Sequence, residues 1–390
     1  MTIDQFFALQ KEEGRQLLAR LASESLDGDA LLPLIERLRK AYPAELVGAA
    51  VELAQLRRKA AGKFSRATEL FFTREGLEMA TAEPVARHTA RRYAGFRKVL
   101  DLCCGLGGDA LALAEAAEPV IAIDRDPLTL EMARANAGVL KLHDRITFTR
   151  ADVTEFVQTA PFLIGPIEAV FIDPSRRGEG RRVSRRPEDY SPRLSWCLEL
   201  TRVAPRVGIK VSPALDYETV PEAEVEIISL DGECKEAMLW LGPFRTCARR
   251  ATLLPGGDTL TDAGASSAEI GDIGAWLYEP DPAVIRAHLV QRLAGERNLR
   301  RIDEEIAYLT GDEVPSPFVT GYRVLEVIPW SLKRLNASLS ARGIGQVIIK
   351  KRGFPLTPEE LRHKLKLAGP ARATLICTRA RGKAVVVIAE

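Results

Sequence analysis

The stretch "VLDLCCGLGGDALALA", Val99 to Ala114, decides the fold. Its opening is apolar apart from Asp101, its middle carries Gly105, Gly107 and Gly108, and its end is dense in Ala and Leu. A buried strand that stops at glycines and restarts as a helix brings bare backbone up to a ligand. Gly105, Gly107 and Ala110 match G-x-G-x-x-A, and Asp124 follows 19 residues after Gly105, a spacing also found in dinucleotide folds. The local pattern leaves two ligands open: the pyrophosphate of a dinucleotide, or the methionine part of S-adenosylmethionine.

Three neighbouring features favour the second. Asp101 sits inside the strand end, where a carboxylate repels pyrophosphate and suits the ammonium of a methionine moiety. The next strand, "PVIAID", ends at Asp124, and the helix after it already has an N-cap in Asp126 with Pro127 at its first position, leaving Asp124 for two ribose hydroxyls. "FTRADVTEF" then places Asp152 after the third strand, within reach of an adenine amino group. Three acids ending three successive strands outline one site across the crevice of the sheet. Cys103, Gly105, Gly107, Arg125 and Val153, which neighbour these acids or form the turn, complete the expected cofactor set. The plainer readings are a bare tight turn for the glycines, a capping box for Asp152 with Glu155, and packing for Cys103 and Cys104.

Outward from this stretch, residues 63–245 alternate strand and helix. "KVLDLCC", "PVIAID", "RITFT", "IEAVFID", "RVGIKVS", "EVEIISL" and "EAMLWLG" are seven strands, the early ones separated by helices, which predicts a parallel sheet covered on both faces. Only "DGECK" separates the last two, so that pair is expected antiparallel. Residues 1–62 read as helices, with Gly28 as a stop and Asp29 as the N-cap of the next helix. Residues 246–320 read as a connector: "LLPGGDTLTDAGASSAEIGDIG" as loop, then a helix interrupted near Gly295. Residues 321–390 read as a small α+β domain with a helix ending at Gly343, a second opening on Thr357, Pro358 and Glu360, and a hairpin around "ARGK".

The 390 residues, 46% hydrophobic, suffice for two to four domains with a sizeable core. The start lacks a basic stretch followed by an apolar run, and no apolar run reaches membrane-spanning length, so a cytoplasmic protein without membrane contact is expected. Six cysteines without a C-x-x-C pair, beside four histidines, predict buried thiols and no metal. Charge is uneven: Tyr322 to Glu390 holds 14 Lys and Arg against 4 acids, a net +10, while the remainder has 41 against 49, a net −8. A basic module on an acidic body points to nucleic acid.

The motif residues carry a family resemblance. Residues 63–245 resemble a class I S-adenosylmethionine-dependent methyltransferase, and "EMATAEPVARH" with "VLDLCCGLGGDALALA…VIAIDRDPLTLEMARANA" is similar to trimethylguanosine synthase. That family's Thr-Pro-Glu segment and following His correspond to Thr81, Ala82, Glu83 and His88, which implies that Thr81 helps hold the cofactor; capping the helix that begins at Glu83 is its other reading. The tail resembles the THUMP-like module at the end of bacterial methyltransferases, which implies a Rossmann-like seven-stranded methyltransferase sheet with an N-terminal helical region and a C-terminal THUMP-like domain.

Methyl transfer from a sulfonium is an in-line displacement, so the site's task is to place an acceptor lone pair. The fourth strand ends "FIDPSRRG", putting Asp173, Pro174 and Ser175 where the acceptor belongs. The resembling amino methylases read Asp/Asn/Ser-Pro-Pro-aromatic there; this chain keeps Asp173 and Pro174 but has Ser175 and Arg176 in place of the second proline and the ring. Asp173 is left to orient an amine or to act as a base toward a hydroxyl. Seven arginines between Arg176 and Arg193, Arg177 among them, suit phosphates, with Tyr190 as the loop's aromatic and Lys210 facing the cleft. The fifth strand is not followed by Ser-Cys-Asn-Pro, which disfavours cysteine-dependent pyrimidine C5 methylation. Lys350, Lys351 and Arg352 close one strand of the tail, and Lys364 and Lys366 are expected on its last helix, a surface for docking RNA. The expectation is a methyltransferase acting on structured RNA, tRNA or rRNA, with a base nitrogen preferred over oxygen. A small-molecule methyltransferase and a catalytically idle RNA-binding protein are the alternatives, and a dinucleotide oxidoreductase is more distant.

Overall fold

The computed structural model of the chain describes residues 1–176, 186–264 and 267–390, without the side chains of 160–164. It forms two compact units: residues 1–223 with 237–246, and residues 224–236 with 247–390.

The first unit opens with helices α1 (Ile3–Gln10), α2 (Glu12–Leu21), α3 (Leu31–Arg39) and α4 (Ala44–Ala60). Thr2 and Gln5 form a capping box on α1. Asp29 does not cap α3: it lies within a short 3-10 turn, and Ala30 precedes α3 without a side-chain hydrogen bond. The core between these helices, including Leu9, Leu17, Leu38 and Leu53, runs on to Leu106 and Met132. The helical region is therefore welded to the back of the glycine turn.

Helices α5 (Arg74–Met79) and α6 (Glu83–Ala90) follow. Lys63 Nζ donates to the carbonyls of Leu77, Glu78 and Ala80, satisfying the exposed end of α5. The alternation then appears as expected: β1 (Val99–Leu102), α7 (Gly108–Ala116), β2 (Val120–Asp124), α8 (Pro127–Val139), β3 (Ile146–Arg150), α9 (Val153–Ile164), β4 (Ala169–Ile172), α10 (Leu194–Leu198) and β5 (Arg206–Val211). These strands pair in parallel in the order β3-β2-β1-β4-β5. Within residues 224–236 of the second unit, strand β6 (Glu224–Leu230) turns into β7 (Glu233–Leu241) through Asp231 and Gly232, both at positive φ, so the last pair is a tight antiparallel hairpin. From Ala237 onward β7 lies antiparallel to β5.

Register fixes what shares a face. Asp101 lies opposite Phe171, and Phe171 opposite Gly208. With a period of two, Cys103, Asp173 and Lys210 form the next row on that face. The ladder reaches this row, since Asp173 N–H donates to Leu102 O at 3.3 Å.

In the second unit, the segment read as loop after residue 250 contains strands β8 (Arg249–Leu254) and β9 (Asp258–Thr261), an antiparallel pair joined across Pro255, Gly256 and Gly257. The glycines are the turn of a hairpin whose strands are too short to show a clear alternation. Strand β10 (Trp276–Pro280) follows, and the expected long helix is two short ones, α11 (Pro282–Arg286) and α12 (Val290–Glu296), succeeded by strands β11 (Arg300–Arg301) and β12 (Leu309–Gly311). The tail holds β13 (Val319–Pro329), α13 (Leu332–Ala341), β14 (Ile344–Lys351), α14 (Pro358–Arg362), β15 (Ala371–Ala380) and β16 (Lys383–Ala389). Thr357 and Glu360 form the expected capping box, but α14 ends at Arg362, short of Lys364 and Lys366. The "ARGK" hairpin is β15–β16, turning at Arg381 and Gly382. The sheet order is β11-β12-β10-β13-β16-β15-β14, with Leu335, Leu339 and Leu361 packed on one face and Leu277, Ile302 and Tyr308 in a second cluster with Ile376 and Val387.

Candidate active site

A cavity of about 420 Å³ opens at the carboxyl ends of β1, β2 and β4. Among the described residues, its wall carries Glu75, Asp109, Asp124, Asp126, Asp152 and Asp173 with one cation, Arg125, and the Lys210 ammonium pairs with Asp173 at 2.8 Å. Six carboxylates against one guanidinium and one ammonium favour a cationic, hydroxyl-rich ligand and oppose a pyrophosphate.

The floor is the glycine turn. Cys103, Gly105 and Gly107 have φ of 65°, 51° and 84°, and Gly107 is the N-cap of α7. A side chain at Gly107 would meet Ala133 of α8, its Cβ only 3.0 Å from the alanine Cβ, whereas the space over Gly105 is open. The first glycine thus leaves room for a ligand, and the second lets two helices close behind it. Asp124 ties the turn down: Oδ2 accepts from Gly105 N at 2.8 Å and Oδ1 from Asp126 N at 2.9 Å. Each oxygen retains a further lone pair toward the cavity. Asp126 caps α8 through Thr129 N at 2.8 Å, as expected, with Pro127 next.

Asp152 lines the cavity and also caps α9, accepting from Thr154 N at 2.8 Å and from the Thr154 hydroxyl. These two bonds hold its carboxyl below the usual range. Val153, the first residue of α9, lines the wall beside it.

Asp101 is placed differently from the expectation. It is 0% exposed, lies beneath the cavity rather than on its wall, and neither carboxyl oxygen has a hydrogen-bond partner among the described residues. Burial, reinforced by the Asp109 and Asp173 carboxylates, pushes its carboxyl well above the usual range, toward the protonated form. The acid on the wall is Asp109, in the first turn of α7, which the sequence reading passed over. Burial pushes Asp109 up as well, against the pull of Lys210. Its sequence signal is an acid directly after the last of the three glycines, Gly108, a position where a helix N-terminus favours negative charge.

Thr81 does not cap α6, whose N-cap is Ala82. Its hydroxyl donates to Asp109 Oδ2 at 2.9 Å and accepts from Lys210 Nζ at 2.6 Å. Lys210 also donates to Asp173 Oδ2 at 2.8 Å. His88 lies on α6 away from the cavity wall. Cys103 and Cys104 line the cavity with thiols raised well above the ordinary value by burial, which leaves them as packing and contour.

At the lip, Ser175 and Ser191 exchange two backbone hydrogen bonds, 2.9 and 2.8 Å, which form a neck where these two residues meet. Pro174 lies between the two walls' residues Asp173 and Ser175 but is not itself on the wall. Tyr190 is 4% exposed and its hydroxyl accepts from Ser212 N at 3.4 Å, so its ring has no free face for stacking on a base. Arg176 stands at the neck, and Arg177 falls outside the described residues.

In the second unit, Lys350 and Arg352 flank Glu279: Lys350 donates to Glu279 Oε2, and Arg352 lies 3.6 Å from Oε1. They also lie over the rings of Tyr322 and Tyr308. Lys351, between them on the edge strand β14, is exposed. Among the described residues no cluster of His, Cys, Asp or Glu is arranged to hold a metal ion, and no helix is long and apolar enough to cross a membrane.

A parallel run of strands, a glycine turn open over its first glycine, and an acid-lined cavity define a nucleotide-binding site of the Rossmann-like class. Residues 96–181 match the family described as RNA cap guanine-N2 methyltransferase, residues 319–390 one described as THUMP domain-like, and residues 2–60 a domain of unknown function. An uncharacterised S-adenosylmethionine-dependent methyltransferase of Mycobacterium tuberculosis is 37% identical over 341 residues, 84% of this chain and 92% of that protein. A 23S rRNA (uracil-C5)-methyltransferase of Pseudomonas fluorescens is 40% identical over 81 residues, 21% of this chain and 17% of that one. A crystal structure of a Porphyromonas gingivalis protein named as a methyltransferase has the same fold, with a TM-score of 0.78 at 23% identity over 96% of this chain and 98% of that one. The chain belongs to the S-adenosylmethionine-dependent methyltransferases, and S-adenosylmethionine is its methyl donor.

Proposed function

We propose that this enzyme methylates a nitrogen of a base in structured RNA, tRNA or rRNA, in the cytoplasm. The donor supplies an electrophilic methyl group on a sulfonium. Gly105 and Gly107 form the floor beneath it, Asp124 and Asp152 receive its ribose and adenine groups, and the acidic wall stabilises its positive charge. Asp173 accepts a hydrogen bond from the acceptor amine, which points the nitrogen lone pair at the methyl carbon. After transfer, the methylated nitrogen carries one proton too many, and Asp173 stands where that proton leaves.

The observation that carries the RNA reading is the neck. Ser175 and Ser191 join at the cavity lip, and Arg176 and Arg186, next to that junction, are the described members of the arginine-rich stretch. Guanidinium groups there hold phosphates of a chain whose base enters the cavity. The basic segment from residue 321 supports the same reading as a docking surface, with Lys351 presented on its edge strand. The names of the cap-guanine and rRNA methyltransferases that this chain resembles in part agree with it.

The test is mass spectrometry of nucleosides from tRNA and rRNA of cells with and without the protein. One methylated nucleoside is expected to vanish with the gene and return with the wild-type copy. An unchanged nucleoside inventory would remove RNA as the substrate and favour a small molecule.

A further inference from the structure

Lys210 sits on β5 at 7% exposure, yet its ammonium is shared among three other parts of the first unit. It donates to Asp173 Oδ2 at 2.8 Å beyond β4 and to Thr81 Oγ1 at 2.6 Å before α6, and it lies 3.9 Å from Asp109 Oδ2 on α7. Thr81 closes the ring by donating to Asp109 at 2.9 Å. A lysine has a flexible stem and strongly hydrated charge, so holding it dry with three oxygen partners costs desolvation and side-chain entropy. An apolar residue would pack the same space without that cost, so the cation's use is sought in the carboxylate it holds.

We propose that Lys210 is a positioning residue for methyl transfer, acting through Asp173. This rests on the reading that Asp173 receives the acceptor. The ammonium occupies Oδ2 and fixes the plane of the carboxylate, which leaves Oδ1 to take one hydrogen bond from the acceptor. Thr81 and Asp109 hold the ammonium in turn, so rotation of the lysine stem does not swing Asp173 away. The acceptor is thereby restricted to a group that donates a hydrogen bond, an N–H or O–H, and an anionic oxygen is rejected by Asp173 and the acidic wall around it. A displacement of about 1 Å at the reacting atoms costs about 100-fold in rate, which sets the scale of the effect.

The test is a double-mutant cycle on the full-length protein, with total RNA from cells lacking the protein as acceptor and methyl-labelled S-adenosylmethionine as donor. Asp173→Asn and Lys210→Met are each expected to lower kcat about 100-fold, and the double variant to be no slower than Asp173→Asn, because a residue that acts through Asp173 has nothing left to position. S-adenosylhomocysteine affinity and the KM for RNA are expected to stay within about 3-fold of the wild type, which separates positioning from lost binding or folding. Should Lys210→Met fail to bind S-adenosylhomocysteine, Thr81→Val, which loosens the ammonium and keeps it, takes its place with an expected loss smaller than that of Asp173→Asn. Multiplying effects in the double variant, or unchanged kcat in Lys210→Met or its replacement while Asp173→Asn collapses, overturns the proposal. Unchanged kcat in Asp173→Asn, or no RNA accepting a methyl group, overturns instead the reading beneath it.

Discussion

Lys210 Nζ and Asp173 Oδ2 meet at 2.8 Å from neighbouring parallel strands, one row beyond the Phe171–Gly208 pair. Their contact follows from register alone: any one-residue slip of β5 against β4 would send Lys210 to the other face of the sheet. The placement of this pair is thus set by the same ladder that builds the core.

Asp173→Ala separates donor binding from transfer. The glycine turn, Asp124 and Asp152 remain intact in this variant, so S-adenosylhomocysteine binds within a few-fold of the wild type while turnover falls about 100-fold or more. Calorimetry and a methyl-incorporation assay on one preparation check it. Equal losses in both would place Asp173 in donor binding.

Gly107→Ala tests the turn. At φ 84° an alanine enters a left-handed conformation that costs about 1–2 kcal/mol, and its Cβ presses on Ala133. The urea midpoint is expected to fall accordingly, with weaker binding of S-adenosylhomocysteine. A midpoint equal to the wild type's would mean that the turn relaxes freely.

Asp101 makes stability fall with rising pH in the absence of donor. Its carboxyl loses its proton near pH 3.8 when unfolded but holds it to much higher pH when folded. Between those points the folded state binds the extra proton, so each rise in pH favours unfolding. Asp101→Asn removes that slope: its Tm matches the wild type near pH 4 and exceeds it at pH 8 by about 2 °C or more. Parallel Tm profiles would show that Asp101 is ionised in the folded protein.

Lys350 and Lys351 are adjacent but not equivalent. Lys350 is tied to Glu279 and lies over Tyr322, whereas Lys351 is exposed on the edge strand. Lys351→Ala is expected to lower the slope of log affinity for tRNA against log salt by about 1, with Tm unchanged. Lys350→Ala is expected to lower Tm with a smaller change in the slope. Fluorescence anisotropy across a salt series, with a melting curve for each variant, distinguishes them, and equal salt slopes in the two would contradict the assignment.

What the sequence made legible was whatever local rules govern. The glycine turn, the seven strands, the tight β6–β7 hairpin and the Asp126 cap are written in short stretches whose periodicity and turn chemistry have one good solution. What it hid depends on partners distant along the chain. Asp101 and Asp109 are eight residues apart and both acidic, and only the packing of α7 against the strands decides which reaches the cavity wall. Tyr190 stands among arginines in the sequence, yet its ring is drawn inside beside Ser212. Thr81 fits a helix cap locally, but Lys210, 129 residues later, claims its hydroxyl. The short strands β10, β11 and β12 carry too few residues for a pattern and exist because their neighbours pair with them.

The central claim is that the acid-lined cavity over the glycine turn selects a cationic methyl donor. Titration calorimetry of the full-length protein with S-adenosylmethionine, S-adenosylhomocysteine and a nicotinamide dinucleotide, repeated on Asp124→Ala, tests it most directly. Saturable heat with the first two, none with the dinucleotide, and binding weakened at least about 10-fold by the substitution is the predicted result. Heat with the dinucleotide and none with either methionine compound would contradict it.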